Sequence, residues 1–556
     1  MNVIQAIAEV LRQDGTSDLF GVLGASNLAF VGHAVDELGM RYHALRHESA
    51  AVAAADVFAR VTGSVGVATV TQGPGLTHAS SAIVEAAKSA VPLLVVTSAV
   101  SPTAPHQNQA LDQAAVVQAL GATPFVLAKA ADARRLTRQA LVYARSQGRP
   151  AVLIIPEDLH DHQVEAVDGT PAEKETVDPE GSVSPADLDR AAQLLMDAER
   201  PVIVAGRGAM QPATIAHLRE IGRRVGALLF TTLPAKDRFA DDDHDAGICG
   251  SFGTPSVVDL AEDADVVLVI GSSLSSWTTQ RGRLFSRAAV IRCDSDAATA
   301  GRGETVFLGG DATSVISRLS SLVRPTGGQG YRTEDSAAAL RAARAKVFHD
   351  ESDSTGLDPR LLVQELGKRL PRERSIVIDG GHFSGWPAML VPTPPPGIFV
   401  YAHGYQCVGL ALGNVVGAAI GAPDNLPIAF VGDGGLLMSL GELHAIGDLG
   451  VPVLVVVLND GAYGAEYHQA QPGHADLTVL RREDFAALTQ SLGGIGISVR
   501  KMSDLDELSS WLDAPQGLCL MDCHITRTVR ADWLPGKDSP EKSISTAVME
   551  ETFHGS

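Results

Sequence analysis

Short, uninterrupted apolar runs separated by amphipathic stretches constrain the fold of this 556-residue chain more than any other feature. The runs are VGVATV and PLLVVTS near the start, PVIVAG and DVVLVIG in the middle, and SIVIDGG, PIAFVGDGG and VPVLVVVLND towards the end. Strands that are apolar along their whole length are buried on both faces, as in parallel sheets covered by helices. We therefore predict an α/β protein with three doubly wound domains, each built on a parallel sheet.

Two polar stretches rich in Pro, Gly, Asp and Glu, 162–186 and 324–358, are interpreted as linkers. A chain of this length is expected to hold about three domains. The predicted units are an N-terminal domain over 1–162, a central domain over 187–323, a third domain over 359–526 and a C-terminal tail over 527–556.

Charge and hydropathy exclude several classes of partner. The chain has 44 Lys and Arg against 65 Asp and Glu, a formal net charge of −21, and no block of basic residues. This argues against nucleic acid or an anionic membrane surface as the main partner. The longest apolar run, VPVLVVVL, is too short to span a bilayer, and the first residues lack a basic leader. With five scattered cysteines, we expect a cytoplasmic protein.

In doubly wound sheets, ligands bind at the carboxyl ends of the strands, so the glycine-rich loops there are the expected site. One strand ends in Gly432-Asp433-Gly434-Gly435, and the next strand ends 24 residues later, just before Asp460. Glycines let the backbone approach a phosphate at a helix N-terminus, and two carboxylates with a loop carbonyl suit octahedral Mg²⁺. Either dipeptide alone is an ordinary turn signal, but the pair after two buried strands predicts a metal-phosphate site.

These residues resemble the signature of thiamine diphosphate-dependent enzymes, in which GDG is followed after about 24 to 27 residues by Asn-Asn. The likeness covers the whole chain and is greatest to acetolactate synthases, benzoylformate decarboxylases and their relatives. It implies thiamine diphosphate and Mg²⁺ as cofactors, with Asp433, Asp460 and the carbonyl of Ala462 as metal ligands. The chain departs from the pattern at Asp460, where most relatives have Asn. The aspartate keeps an oxygen ligand for the metal and adds a negative charge.

Glu48, in the segment RHES, follows a short predicted strand and opens an alanine-rich helix. By position alone its carboxylate would interact with the helix macrodipole. The resemblance implies instead that Glu48 hydrogen-bonds N1′ of the cofactor's aminopyrimidine and so activates thiazolium C2. The TQGPG turn, with Gly73 and Pro74, matches the family's turn near the pyrimidine. Ser26 and His78 either reach this cleft or are solvated loop residues.

Other cofactor contacts follow from the resemblance by position. Val408 matches the bulky apolar residue that holds the cofactor in its bent conformation, a plain core valine being the alternative. The segment DGGHFSG implies diphosphate contacts from His382, with Gly381 supplying backbone. The remaining residues expected to face the cofactor are Gln406, Gly432, Gly434, Gly435, Tyr463 and Gly464.

Three residues are candidates for substrate chemistry. Glu466 lies six residues after Asp460, at the position of a catalytic acid in pyruvate decarboxylases, and an exposed helix glutamate is the alternative. Leu111-Asp112-Gln113 resembles the form found in oxalyl-CoA decarboxylases and 2-hydroxyacyl-CoA lyases. Asp112 or Gln113 is therefore expected either to hydrogen-bond a reaction intermediate or to lie at an interface.

The resemblance implies acetolactate synthase-like decarboxylation of a 2-oxo acid with carboligation. The alternative is a 2-hydroxyacyl-CoA lyase or oxalyl-CoA decarboxylase acting on an acyl-CoA, supported by the Leu-Asp-Gln segment and by a tail with basic residues that either folds over CoA or is a disordered terminus. Ranked below both is a nucleotide-binding homologue without thiamine chemistry. The resemblance also implies a homodimer or homotetramer, with Glu48 from one subunit and the GDG segment from its partner.

The middle block carries AGRGA and GSS after two predicted strands. Neither forms a complete G-x-G-x-x-G fingerprint. Some members of the resembled family bind FAD or ADP in this domain, but no motif here supports either nucleotide.

Overall fold

The computed structural model describes residues 1–534 apart from 105, 166–182, 297–299, 302, 329, 346 and 403. Within these residues the strands form three six-stranded sheets, and all neighbouring strands in them run parallel. The predicted fold class, an α/β protein with three parallel sheets, is confirmed.

The first sheet has the order β2-β1-β3-β4-β6-β5. Its strands are β1 (Asp18–Gly21), β2 (Arg41–Ala44), β3 (Gly66–Val70), β4 (Leu93–Ala99), β5 (Thr123–Val126) and β6 (Pro150–Pro156). The second sheet has the order β12-β11-β10-β7-β8-β9. Its strands are β7 (Pro201–Ala205), β8 (Leu228–Thr231), β9 (Asp245–Ile248), β10 (Val266–Ile270), β11 (Ala289–Asp294) and β12 (Val306–Gly309).

The third sheet has the order β14-β13-β15-β16-β18-β17, the same arrangement as the first. Its strands are β13 (Arg374–Ile378), β14 (Ile398–Tyr401), β15 (Leu426–Gly432), β16 (Val453–Asn459), β17 (Ile495–Val499) and β18 (Leu518–His524). Every residue of β16 and β18 is buried. This is the double-sided burial that their continuous apolar sequence predicts.

Helices cover the sheets on both faces. In the first part of the chain they are α1 (Val3–Gln13), α2 (Leu28–Asp36), α3 (Glu48–Thr62), α4 (Pro74–His78), α5 (Ser80–Lys88), α6 (Gln113–Ala119), α7 (Ala133–Gln147), α8 (Pro185–Asp197), α9 (Pro212–Val225) and α10 (Pro255–Glu262). The later helices are α11 (Ala312–Leu322), α12 (Glu334–Arg344), α13 (Pro359–Arg369), α14 (Gly385–Leu390), α15 (Ala411–Gly421), α16 (Asp433–Met438), α17 (Glu442–Gly447), α18 (Gly464–Gln469), α19 (Phe485–Ser491) and α20 (Asp506–Leu512).

Helices α3 and α15 join the first sheet to the third at backbone contact distance. A Cβ added to Gly417 would lie 2.1 Å from the carbonyl oxygen of Ala54, and one added to Gly413 would lie 2.6 Å from that of Ala50. Larger side chains at these positions would force the helices apart, since packed interiors have no spare volume. The alanine-rich sequence of α3 therefore serves this contact, which fixes where Glu48 lies relative to the third sheet.

Of the two stretches interpreted as linkers, one contains a helix and the other lies largely outside the described residues. Within 324–358 the structure has helix α12, which is capped by Thr333 and buries Ala337 and Leu340. Its apolar face is too short to show as a sustained pattern in a polar sequence. Of the other stretch, 166–182 lies outside the described residues.

None of the helices in the described ranges is long and apolar enough to cross a membrane.

Candidate functional site

Asp433 and Asp460 leave the ends of two neighbouring strands. β15 and β16 pair in parallel with Gly432 opposite Leu458, so the next residues share one edge of the sheet. Both carboxyl groups are buried, and Asp433 Oδ2 has no hydrogen-bond partner among the described residues. Burial, then the nearby Asp460 carboxylate, raises the pKa of Asp433, and burial also raises the pKa of Asp460. A divalent cation would relieve both costs, so the residues fit the expected metal.

The additional negative charge at Asp460 is met by two arginines. Arg482 Nη2 donates to the main-chain carbonyl of Asp460 at 3.1 Å, and Arg527 donates to the same oxygen through Nε at 3.1 Å and Nη2 at 3.0 Å. The Asp460 side chain accepts from Ala462 N through Oδ1 at 3.0 Å. Both arginines oppose the rise in the pKa of Asp460. Arg482 was not among the residues predicted from the sequence. Arg527 is the first residue of the predicted basic tail, which was expected either to fold over CoA or to be a disordered terminus.

Glycines bring three strand-end loops together around these carboxylates. A Cβ at Gly464 would lie 2.8 Å from Asp460 Oδ2 and 3.0 Å from His382 Cβ, and one at Gly435 would lie 2.4 Å from Asp379 Oδ2. A Cβ at Gly434 would lie 2.7 Å from a carbon of the Tyr463 ring, so this position also has no room for a side chain. The structure thus gathers the predicted Gly434, Gly435, Tyr463 and Gly464 beside Asp433 and Asp460.

Asp379, which the sequence did not single out, ties the Val408 loop to this group. Its carboxylate accepts from Gly409 N at 2.9 Å, and burial raises its pKa to about 6. Val408 Cγ1 would lie 3.2 Å from a Cβ at Gly435, so the side chain covers that glycine. Val408 is 37% exposed and is therefore not a plain core valine in the single chain. Gln406, in the same loop, has a left-handed φ of 59° and is exposed.

His382 is buried and neutral. It follows Gly381, whose φ of 143° requires glycine, in a 3-10 turn after β13. Its Nε2 accepts from Ala531 N at 2.9 Å, while its Nδ1 has no hydrogen-bond partner among the described residues. Burial, with His468 and Arg530 nearby, lowers its pKa to about 3. An unused hydrogen-bonding atom next to the carboxylate pair suits a ligand that accepts hydrogen bonds.

Glu48 is the first residue of α3, and its Oε2 lies 3.1 Å from His78 Nδ1. His47, the N-cap, accepts from Ser49 N, and its ring stacks on that of His78 at 5.2 Å with an interplanar angle of 18°. One ligand atom from each of these three side chains lies within 4.8 Å of the others. His47 Nδ1 and His78 Nδ1 are already used by contacts within the protein, with Ser49 N and with Glu48 Oε2.

Gln113 is buried and holds the TQGPG turn in place. Its Oε1 accepts from Gly73 N at 2.8 Å, and its Nε2 donates to Ser98 O at 2.7 Å. Gly73 has a φ of 62°, and Pro74 begins α4. Ser26 is part of the same group, since its Oγ lies 2.9 Å from Thr71 Oγ1. The hydrogen-bonding groups of Gln113 are thus directed at the protein's own backbone.

The other two candidates for substrate chemistry are exposed. Asp112 caps α6 by accepting from Ala115 N at 3.0 Å. Glu466 lies in the first turn of α18. Their catalytic roles, like that of Gln113, stay predictions.

In the central domain, the AGRGA and GSS loops follow the neighbouring strands β7 and β10. A Cβ at Gly206 would lie 2.3 Å from Gly271 O, and one at Gly208 would lie 2.8 Å from Gly271 Cα. The glycines are explained by this contact between loops, and the structure adds nothing in favour of FAD or ADP.

Comparison with known proteins identifies the class. The chain belongs to the thiamine pyrophosphate enzyme family. The family's N-terminal TPP binding domain matches residues 1–118 of this chain, the family's central domain matches 188–319, and the family's C-terminal TPP binding domain matches 379–523. The last of these ranges contains the Asp433–Asp460 pair. The family resemblance seen in the sequence is confirmed, and thiamine diphosphate is the cofactor of the family's domains.

Individual relatives span nearly the whole chain. An acetolactate synthase of Mycobacterium bovis is 26% identical over 96% of this chain and 88% of its own length. A sulfoacetaldehyde acetyltransferase of Castellaniella defragrans is 27% identical over 91% of this chain and 89% of its own. The solved thiamine diphosphate-dependent 4-hydroxybenzoylformate decarboxylase of Rhodococcus jostii RHA1 superposes with a TM-score of 0.78 at 20% identity, covering 95% and 99% of the two chains. That likeness concerns the fold.

Glu442, another residue that the sequence did not single out, fixes the segment before Glu48. Its Oε1 and Oε2 accept from Arg46 N at 3.0 and 3.2 Å, joining the first domain to α17. Burial raises the pKa of Glu442 from 4.5 to about 7, against the opposing effect of these hydrogen bonds.

A pH-dependent loss of stability follows from Glu442. Because the folded pKa lies above the unfolded one, its contribution is complete below about pH 4.5 and is lost as the pH rises through about 7. Glu442→Gln keeps an acceptor for Arg46 N and does not titrate. Between about pH 5 and pH 8, we therefore expect the free energy of unfolding of this variant to rise relative to that of the parent by up to about 3 kcal/mol, which thermal melts at each pH would show as a growing difference in melting temperature. Glu507→Gln, at an exposed glutamate, is the control; the same pH dependence in parent and Glu442→Gln would contradict the prediction.

Proposed function

We propose that this protein is a thiamine diphosphate- and Mg²⁺-dependent enzyme that decarboxylates a 2-oxo acid and joins the remaining acyl unit to a second carbonyl compound, as acetolactate synthases do. The observation that carries the proposal is the buried Asp433–Asp460 pair at neighbouring strand ends, in which Asp433 Oδ2 has no hydrogen-bond partner within the described part of the chain. The match of both TPP binding domains and the acetolactate synthases among the relatives support it.

The cofactor, when bound, supplies an electron sink for the electrons released as the carboxylate leaves. Asp433, Asp460 and the carbonyl of Ala462 would hold Mg²⁺, which in turn neutralises the diphosphate. His382 would donate from Nδ1 to a diphosphate oxygen. Glu48 would hold a proton at N1′ of the aminopyrimidine, at the start of α3, where a carboxylate is stabilised by the helix dipole.

The reaction is tested by substrate. Purified protein with thiamine diphosphate and Mg²⁺ is expected to release CO₂ from pyruvate or a related 2-oxo acid. The remaining acyl unit should then add to the keto carbon of a second equivalent and form a 2-alkyl-2-hydroxy-3-oxo acid, in which the alkyl group is methyl when the substrate is pyruvate. Failure across a panel of 2-oxo acids, together with cleavage of a 2-hydroxyacyl-CoA, would replace the proposal by the acyl-CoA alternative. The main argument for that alternative was the Leu-Asp-Gln segment, and the amide of Gln113 is used by Gly73 and Ser98.

We also propose a cytoplasmic location, which the free state of all five cysteines supports. We also propose a homodimer or homotetramer in which two subunits form each site. Apolar side chains next to the GDG segment support this, because Leu437 and Met438 are 41% and 59% exposed in the single chain. Exposed apolar groups beside a site are typical of a subunit interface.

Glu48→Gln is expected to bind the cofactor and to lose its activation. The amide keeps the size of the side chain but cannot hold the proton at N1′, so exchange of the cofactor's C2 proton with solvent deuterium should slow by at least about 100-fold. The rate is measured by acid quench and proton NMR of the released cofactor. Glu37→Gln, at an exposed glutamate of the same domain, should exchange at the parent rate. Parent-rate exchange in Glu48→Gln would reject the role of Glu48.

Subunit complementation tests the shared site. Glu48→Gln and Asp433→Asn are each expected to be inactive as homo-oligomers, the second through loss of Mg²⁺-dependent cofactor binding. Co-expressed in equal amounts, they should regain about a quarter of the parent activity, because half of randomly formed dimers hold one site with both native residues. No recovery in mixed oligomers that demonstrably form, or an active monomer in sedimentation, would contradict the proposal.

A further inference from the structure

The chain continues beyond the last strand as an ordered, packed segment. Val529, Ala531 and Trp533 are buried, while Arg530 and Asp532 between them are exposed. The buried residues belong to the apolar core of the third domain. Up to residue 534, therefore, the part of the tail that the structure describes is a component of the third domain, and 535–556 lie outside the described residues.

Trp533 anchors the far end of this segment. Its ring stacks on Phe252 of the central domain at 5.8 Å and meets Trp386 edge-on at 5.7 Å. A Cβ at Gly385 would lie 2.5 Å from the Trp533 ring, so this glycine provides the space that the indole occupies. Aromatic contacts of this kind fix the position of the segment as well as burying it.

The near end is held at the candidate metal site. Thr526 Oγ1 donates to Asp353 Oδ2 at 2.6 Å, and Arg527 donates to the carbonyl of Asp460. Contacts at both ends therefore hold the backbone between them against the strand-end loops. The backbone N–H of Ala531 is directed at His382 Nε2, at 2.9 Å.

That hydrogen bond determines which nitrogen of His382 carries the proton. Nε2 accepts from an amide, so it holds a lone pair, and the ring hydrogen is on Nδ1. Nδ1 is buried without a partner among the described residues, 3.1 Å from where a Cβ of Gly464 would lie. The same Cβ position is 2.8 Å from Asp460 Oδ2, so the free N–H borders the space next to the candidate metal ligands.

We propose that the backbone N–H of Ala531 is a positioning group that holds His382 in its Nδ1–H tautomer, so that His382 donates to a phosphate oxygen bound beside Asp433 and Asp460. The phosphate is that of the cofactor, and in this respect the inference rests on the proposed function. Without the Ala531 N–H, Nε2 loses its donor and the imidazole distributes between two tautomers, one of which presents a lone pair to the anion.

The experiment removes one N–H. A synthetic C-terminal peptide joined to the rest of the chain replaces Ala531 by lactic acid, which keeps the methyl group and turns the amide into an ester. In protein labelled with ¹⁵N-histidine, the His382 signals, assigned by their absence in His382→Gln, should show the Nδ1–H form in the parent and a mixture in the ester. Affinity for inorganic pyrophosphate with Mg²⁺ should fall about 10-fold, and affinity for thiamine, which has no phosphate, should not change.

His382→Asn supplies the rescue. An asparagine amide donates from nearly the same place as Nδ1 and has no tautomers, so in this background the ester should leave pyrophosphate affinity unchanged. Ala531→Pro, with Ala531→Gly as the control that keeps the N–H, repeats the test by ordinary mutagenesis.

Three results would overturn the inference: an Nε2–H form in the parent, equal pyrophosphate affinity in parent and ester, or parallel loss of pyrophosphate and thiamine affinity, which marks a merely structural contact. Failure of the proposed function is separate. It would show as a parent protein that has the Nδ1–H form of His382 but binds no thiamine diphosphate.

Discussion

Parallel pairing of β15 with β16 is the interaction on which the candidate site depends. It places two acidic residues, 27 positions apart in the chain, at adjacent points on one sheet edge, where both are buried. Burial raises the free energy of each ionised carboxylate, and the proximity of two like charges raises it further, so the ionised pair needs a positive charge nearby. Two arginines provide positive charge by donating to the main-chain carbonyl of Asp460. Glycines keep the remaining space beside the carboxylates free of side chains.

The parts of this arrangement that the sequence predicted are those set by local pattern. Continuous apolar runs specify buried parallel strands, and a loop that follows such a strand must lie at its carboxyl end, so the neighbourhood of Asp433 and Asp460 followed without coordinates. Glu48 at the start of a helix followed in the same way from a short strand and an alanine-rich segment. Each of these predictions needs only a few consecutive residues and a known periodicity.

The parts that could not be predicted depend on contacts between distant segments. Gln113 belongs to a motif that suggested substrate binding, but only the fold shows that its amide is directed at Gly73 and Ser98. The hydrogen bond from Ala531 to His382 has no sequence signal, since every residue except proline has an N–H. Helix α12 was not predicted because its buried apolar residues, Ala337 and Leu340, are too few to form a recognisable pattern in a polar sequence.

The close contact of α3 with α15 has an electrostatic consequence. Ala50 faces Gly413 and Ala54 faces Gly417, so the two helices run in the same direction and their N-termini lie at the same end. Side-by-side parallel dipoles repel each other and concentrate partial positive charge at that end. Each N-terminus has a carboxylate beside it, Glu48 for α3 and Asp379 through Gly409 for α15. The helix packing that joins the two domains thus produces a region of positive potential, and the carboxylates beside the two helix N-termini are stabilised by it.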